Sequence, residues 1–236
     1  IKKNNQNHET SYLLVKQETR RLSKHWLMPE TPAVYDWQTA IQYETEQQHE
    51  AIEFEWAGET IKHIGLVVHS AIQWIAEEGI EQWSEDRILA EKDTFSRALQ
   101  QQGLPEQEMT VAIKRVQDAL INMLKHERGQ WILSRSHEQQ QNEYSISGMY
   151  NDKLVNVILD RTFIDEHGTR WIIDYKTSRH EGPDKEGFLD DEQERYRAQL
   201  EKYGTLMYQL GEHDIKLALY FPLLQGWREW HFNKPT

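Results

Sequence analysis

"WIIDYKTS", residues 171–178, runs from three apolar residues into an aspartate and, two positions later, a lysine. Side chains alternate across a β-strand, so Asp174 and Lys176 share one face and Tyr175 points to the other. Trp171, Ile172 and Ile173 supply apolar residues to both faces, the pattern of a strand covered on both sides. Opposite charges at the mouth of such a strand need partners or a task, because an unpaired buried charge is costly.

Just upstream, "KLVNVILDRTFID" from residue 153 reads as a second strand and "EHGT" (166–169) as a tight turn through His167 and Gly168. The two strands are therefore predicted to be antiparallel neighbours, with Asp160 roughly opposite residues 174–176. Two carboxylates and a lysine then converge. Oxygen ligands on a rigid sheet suit a hard divalent cation, and an ammonium beside them can orient water or offset developing negative charge.

Further out, "WILS" from 131, "EYSISGMY" from 143, "KLALYFP" from 216 and "WREWHF" from 227 read as short strands. The spacing of Ile64, Val67, Val68, Ala71, Ile72 and Ile75 predicts a helix over Ile61–Glu78. Others are predicted over Asp86–Gln101, ending near Gly103, and from Pro105 to about Lys125. The stripe of the latter is Val111, Ile113, Val116, Leu120 and Leu124. An acidic loop, "EGPDKEGFLDDEQE" (181–194), leads into a long helix to about Leu210. Helices, a strand meander, then helix and strands describe an α/β or α+β domain over residues 51–236. Residues 1–50 are polar, with isolated Trp26, Tyr35 and Trp37 and prolines 29 and 32, and read as an N-terminal arm or interdomain connection.

Bulk composition narrows the classes. A chain of 236 residues with 38% hydrophobic content, 9 Trp and 10 Tyr is globular rather than disordered. No apolar run has the length of a membrane span, and the first residues lack a signal-peptide core. With no initiator methionine, the chain reads as excised from a longer one. The absence of cysteine excludes disulfides, thiolate zinc sites and cysteine-bound clusters, and fits a cytoplasmic setting. A net charge of -12 runs against the basic footprint usual for nucleic-acid binders. If DNA is the ligand, metal ions and another domain must supply the positive field.

Asp160, thirteen intervening residues and then "DYK" resemble the PD-(D/E)XK nuclease superfamily. "LDRTFID", "WIIDYKTS" and "YRAQLEKY" are similar to the RecB-type nuclease domain at the C-terminus of the AddA and RecB helicase–nucleases, the exodeoxyribonuclease V type. The resemblance spans roughly residues 61–232. It implies a restriction-endonuclease-like core, a central mixed sheet flanked by helices. It also implies Mg²⁺-dependent (Mn²⁺ possible) hydrolysis of DNA phosphodiesters in double-strand break repair and recombination. By the same resemblance Asp160 and Asp174 hold the metal, with the Tyr175 carbonyl and His69, from "HIGLVVHSAIQWIAEEG", completing the ligands. Lys176 orients water or balances transition-state charge. Gln199 and Tyr203, with Tyr196 one turn earlier, match the helix motif after the lysine, and could touch DNA or brace the lysine strand. Glu143 sits where the family often has a Glu. The implied partners are DNA, an upstream helicase domain and a partner subunit, with no membrane. One departure is Val157, where the family often has Gly.

Bland readings stand beside these. His69 on an apolar helix face could be a core histidine, Glu143 an exposed strand residue, and the Tyr196/Gln199/Tyr203 stripe simply core. A nuclease-like module without activity, a glycosidase built on a carboxylate pair, and a nuclease acting on RNA are the competing functions. The intact Asp160/Asp174/Lys176 set disfavours the first, and the intervening lysine the second.

Overall fold

The apolar stripe from Ile64 to Ile75 folds as helix α1 (Glu55–Glu78), which stops at Gly79, left-handed at φ 97 with its N–H on the Ile75 carbonyl. The structure is a computed structural model and describes residues 55–180 and 182–234; the expected N-terminal arm lies outside the described residues. The helix expected over 86–101 is divided into α2 (Glu85–Ala90) and α3 (Lys92–Gln101). The break falls at Glu91 (ψ 12), whose N–H closes the first helix on the Arg87 carbonyl while its carboxylate accepts from Thr94 Oγ1 at 2.7 Å.

Helix α4 (Glu106–Lys125) follows Pro105 as predicted, but its buried stripe is rotated. Met109, Ala112, Ile113, Val116, Ala119, Leu120 and Met123 face inward, and Val111 is 55% exposed. "WILS" is not a strand. Trp131 and Ile132 end a short helix, α5 (Glu127–Ile132), where Trp131 packs edge-on against Phe163 and Trp171. A short apolar run carries no periodicity with which to separate helix from strand.

The sheet comprises β1 (Glu138–Tyr150), β2 (Lys153–Ile164), β3 (Arg170–Tyr175), β4 (Ile215–Phe221) and β5 (Gly226–His231), side by side in that order. Helix α6 (Lys185–Gln209) crosses between β3 and β4, the parallel pair; the other neighbours are antiparallel. β1 begins five residues before the expected start and takes in "EQQQN". At the β2–β3 turn the Asp165 carboxylate accepts from the His167 and Thr169 N–H groups, and Gly168 supplies the positive φ.

Both faces of β3 are covered, and each of its six residues is buried. Trp171, Ile173, Tyr175, Ala218 and Tyr220 pack against the helical layer that includes α1 and α4. Ile172, Leu217, Leu219 and Phe221 pack under Leu189, Leu200, Tyr203, Leu206 and Met207 of α6. Each such side chain contributes roughly 1.5–3 kcal/mol by burial. This is a mixed five-stranded sheet between helical layers, the restriction-endonuclease-like α/β core expected.

β2 departs from regular alternation. Val157 and Leu159 pack under α6, whereas Phe163, of the same parity, packs in the opposite layer, so the strand changes face around Asp160. β1 is distorted opposite. Glu143 lies across from Asp160, between the pairs Asn142↔Arg161 and Tyr144↔Leu159, and has φ 47. Such irregularities re-aim a side chain out of the pleat.

Candidate metal centre

The β2–β3 ladder ends at Arg161↔Ile173, and one step further its register sets Asp160 beside Asp174. There the Asp160 carboxylate takes over the ladder's role, Oδ2 accepting from the Tyr175 N–H at 2.7 Å. His69 reaches the same point from α1. Its Nδ1 lies 3.5 Å from Asp160 Oδ1, its Nε2 2.9 Å from the Tyr175 carbonyl oxygen, and its ring stands edge-on to the Tyr175 ring. Gly65, one turn before His69, brings α1 close to the strand exit, since a Cβ there would lie 3.1 Å from Thr177 Oγ1. Glu143 completes the group: His69, Glu143 and Asp160 each offer a donor atom, all within 4.8 Å of one another.

Asp174 and Lys176 stand on the α6 side. Lys176 Nζ is 3.1 Å from Asp174 Oδ2 and 3.6 Å from the centre of the Tyr196 ring, a cation–π contact. Gln199 Nε2 lies 3.4 Å from Asp174 Oδ1 and 2.6 Å from the Tyr203 hydroxyl. Tyr203 is 2% exposed, so it braces Gln199 from within the core. The three α6 residues thus line up on the aspartate and lysine and not on open solvent. Asp174 Oδ2 is buried and meets the Lys176 ammonium as an ion pair, without a well-formed hydrogen bond.

Electrostatics pull the groups apart. Burial pushes the Asp174 carboxyl up, helped by Asp160 and opposed by Lys176, to about 6. Burial acts on Asp160 in the same direction, but His69 and the Tyr175 N–H overcome it and hold that carboxyl low. His69 is raised from 6.5 to about 9: burial favours neutral imidazole, but Asp160, Asp174 and Glu143 outweigh it. Glu143 is raised by burial and by Asp160. Lys176, though buried, is raised chiefly by Asp174 and stays charged.

The residues fit a divalent cation. Hard oxygen donors and one imidazole converge, a buried carboxylate oxygen has no hydrogen bond, and a protonated His69 occupies the charge deficit such a cation would fill.

Two supporting residues escaped the sequence reading. Arg161, 1% exposed, donates to Asn142 Oδ1 (2.8 Å), Gln140 Oε1 (2.7 Å) and the Ile132 carbonyl (3.2 Å), fixing β1 just ahead of Glu143. An arginine within an apolar strand was the available signal. Buried Glu192 accepts from Ser178 Oγ at 3.1 Å and pairs with Arg195 at 3.3 Å. Ser178 is thereby tied to α6, Thr177 lies against Gly65 of α1, and Arg179 is exposed. Val157, at the position of the family's frequent Gly, is 2% exposed and packs in the α6 cluster.

The sequence profile of the PD-(D/E)XK nuclease superfamily matches residues 30–230. No curated protein matches the chain. A likeness to the crystal structure of SSO0001 covers 64% of this chain at 17% identity and a TM-score of 0.30, too loose a superposition to add to the fold, and the chain spans 63% of that protein's length. Among the described residues no helix is long and apolar enough to cross a membrane.

Proposed function

Because the chain belongs to the PD-(D/E)XK nuclease superfamily, we propose that it is a divalent-metal-dependent deoxyribonuclease that hydrolyses phosphodiester bonds at the end of β3. The observation that carries this reading is the convergence of His69, Glu143 and Asp160 beside the buried Asp174–Lys176 pair. His69, Glu143, Asp160, Asp174 and the Tyr175 carbonyl would hold Mg²⁺, with Mn²⁺ as a substitute. When bound, such an ion polarises the scissile phosphate and lowers the pKa of its attached water.

The chain's own groups do the rest. As a ligand His69 would be the neutral imidazole, its second proton passing to solvent. Lys176 remains an ammonium and offsets charge gathering on the phosphoryl oxygens, in preference to acting as a general base. Tyr196 confines that ammonium, Gln199 fixes the Asp174 carboxylate, and Tyr203 fixes Gln199.

The finer assignment, to the RecB/AddA type, rests on "DYKTS" and on the spacing of Tyr196, Gln199 and Tyr203. It makes the chain the nuclease part of a helicase–nuclease of double-strand break repair and recombination, working with an upstream motor and a partner subunit. A net charge of -12 supports the tether: non-specific phosphate affinity is weak, and a motor feeding DNA raises its local concentration.

The test is cleavage of linear DNA by the purified chain in Mg²⁺, with Asp160→Asn as the control that should lose it. Calorimetry in Ca²⁺ should show metal affinity falling about tenfold or more in His69→Ala. A wild-type chain that binds no metal and cuts no DNA would return it to the reading of an inactive nuclease-like module.

A further inference from the structure

A cavity of about 560 Å³ opens at the same end of the sheet as the metal centre. Tyr175 pairs with Tyr220 and Tyr220 with Trp227, so Trp227, which lines the cavity, is two strands or about 10 Å from Tyr175. Three separate elements form the walls: the α4–α5 junction with His126, Arg128 and Trp131, the start of α6 with Lys185, and the β4–β5 turn with Trp227 and Arg228. The turn is fastened to α4, Asn122 Nδ2 donating to the Leu223 carbonyl and Gln225 Nε2 to the Asn122 carbonyl, both at 3.3 Å. His126 lies nearly parallel to the Tyr220 ring, 5.8 Å between centres, with Nδ1 3.2 Å from its hydroxyl.

The chemistry of the walls is unusual for so acidic a chain. The Arg128 guanidinium sits 5.0 Å from the Trp131 ring centre and 4.7 Å from that of Trp227, and its carboxylate partner Glu229 is 3.9 Å away. Lys185 has no ion pair among the described residues. Arg228 is committed to Glu186 and Asp190, at 2.8 and 2.6 Å. Glu127 and Glu186 also line the cavity, but Glu186 is taken up by Arg228, so Arg128, whose own carboxylate stands off at 3.9 Å, and Lys185 are the cations left to meet an anion. Their field is felt in the cavity, since after burial they are the groups that lower the proton affinity of His126.

We propose that this cavity holds one nucleotide of a single DNA strand, its phosphate facing Arg128 and Lys185 and its base against Trp227. The proposal rests on the nuclease reading above and gives its substrate a strand class. Indole and guanidinium surfaces stack unpaired bases, and a duplex keeps its base faces occupied. Cations beside Trp227, two strands from the β3 end of the metal centre, would hold the chain on one side of the scissile bond.

The experiment measures anisotropy of a labelled oligothymidylate in Ca²⁺, so that binding proceeds without turnover, for wild type, Arg128→Gln, Lys185→Gln and Trp227→Phe. Each cation variant should weaken single-strand binding about three- to tenfold and flatten the salt dependence by about 0.7 in log–log slope. Trp227→Phe should weaken it less. Blunt duplex binding should move less than twofold, and metal-dependent hydrolysis of bis(p-nitrophenyl) phosphate should not change. Unaltered oligothymidylate affinity in a folded Lys185→Gln chain overturns the proposal, as does an equal loss for duplex and single strand, or competition by free thymidine monophosphate as strong as by the oligomer. Should Arg128→Gln fail to fold, Lys185→Gln decides. Cleavage with Lys185-insensitive binding overturns the cavity alone; Lys185-dependent single-strand binding by a wild-type chain that never cleaves overturns the nuclease reading and leaves the cavity standing.

Discussion

Both ends of β3 bury charge, and they do it differently. At the start, Arg170 is 3% exposed and donates to Glu212 Oε1 at 2.7 Å, to the Gln139 carbonyl at 3.3 Å and to the Gln139 side chain. One cation meets one carboxylate, and Arg170 Nε alone of its guanidinium nitrogens is left without a hydrogen bond. At the far end, Glu143, Asp160 and Asp174 crowd around Lys176 and His69, Asp174 is pushed up to about 6, and one of its oxygens makes no hydrogen bond. Each end also carries a residue in the left-handed region, Gln139 at φ 46 beside Arg170 and Glu143 at φ 47 among the carboxylates, a conformation that costs about 1–3 kcal/mol outside glycine. A buried arginine neutralised by a half-buried carboxylate is an anchor. Crowded like charges are kept at some expense of stability, the pattern of a working site.

The contrast is sharpest in the chemistry. Asp174→Asn should reduce DNA cleavage by about a thousandfold or more, roughly 4 kcal/mol of barrier, while the melting temperature does not fall. Paired turnover and thermal unfolding measurements read this, and a large loss of stability would make Asp174 an anchor like Arg170. Conversely, Arg170→Met should cost about 2–4 kcal/mol of stability, because it leaves Glu212 without its cation, with cleavage per folded molecule unchanged. Denaturant titration and active-site-normalised rates would show whether the two ends really separate.

Protons probe the same difference. His69 is raised to about 9 from 6.5, so the folded state holds its proton more tightly than the unfolded chain. That stability is complete below pH 6.5 and is lost as pH rises through about 9. Asp174, raised from 3.8 to about 6, also favours its protonated form, and its contribution fades between those two values. The metal-free chain should therefore lose about 1–3 kcal/mol between pH 6.5 and 9, and Mg²⁺ should restore it. A flat metal-free profile would erase the distinction from the Arg170 end. The smallest effect is local: Glu143→Gly should gain up to about 1 kcal/mol by relieving its φ, yet weaken metal binding in calorimetry.

Much of the centre was legible because strand period and turn length are local rules. "EHGT" closes a hairpin whose register brings Asp160 to Asp174 with no further information, and Trp171 to Ile173 betray burial on both faces. The helical layer was less legible. Val111 and Met109 are both apolar, and only the packing of α4 on α1 selects the face. "WILS" suits a strand by composition, but Trp131 is captured by Phe163 and Trp171, residues distant in sequence. The change of face at Asp160 had no signal at all, because its cause is the pairing of β2 with a distorted β1.

Helix α6 runs 25 residues, about 37 Å. Along it Lys185 lines the cavity, Glu192 holds Ser178, Tyr196 meets Lys176, Gln199 meets Asp174, Leu206 lies beneath Gly148, and Gln209 donates to the Met149 carbonyl. Its length is therefore fixed by these contacts in a way that its surface is not. One residue inserted between Glu192 and Gln199 would leave the helix intact but turn everything beyond by about 100° and advance it about 1.5 Å, parting Gln199 from Asp174. The exposed turn at Asn151 and Asp152 has no such constraint. Residues added at that hairpin tip should leave the fold and the site in place, whereas one added within α6 should not.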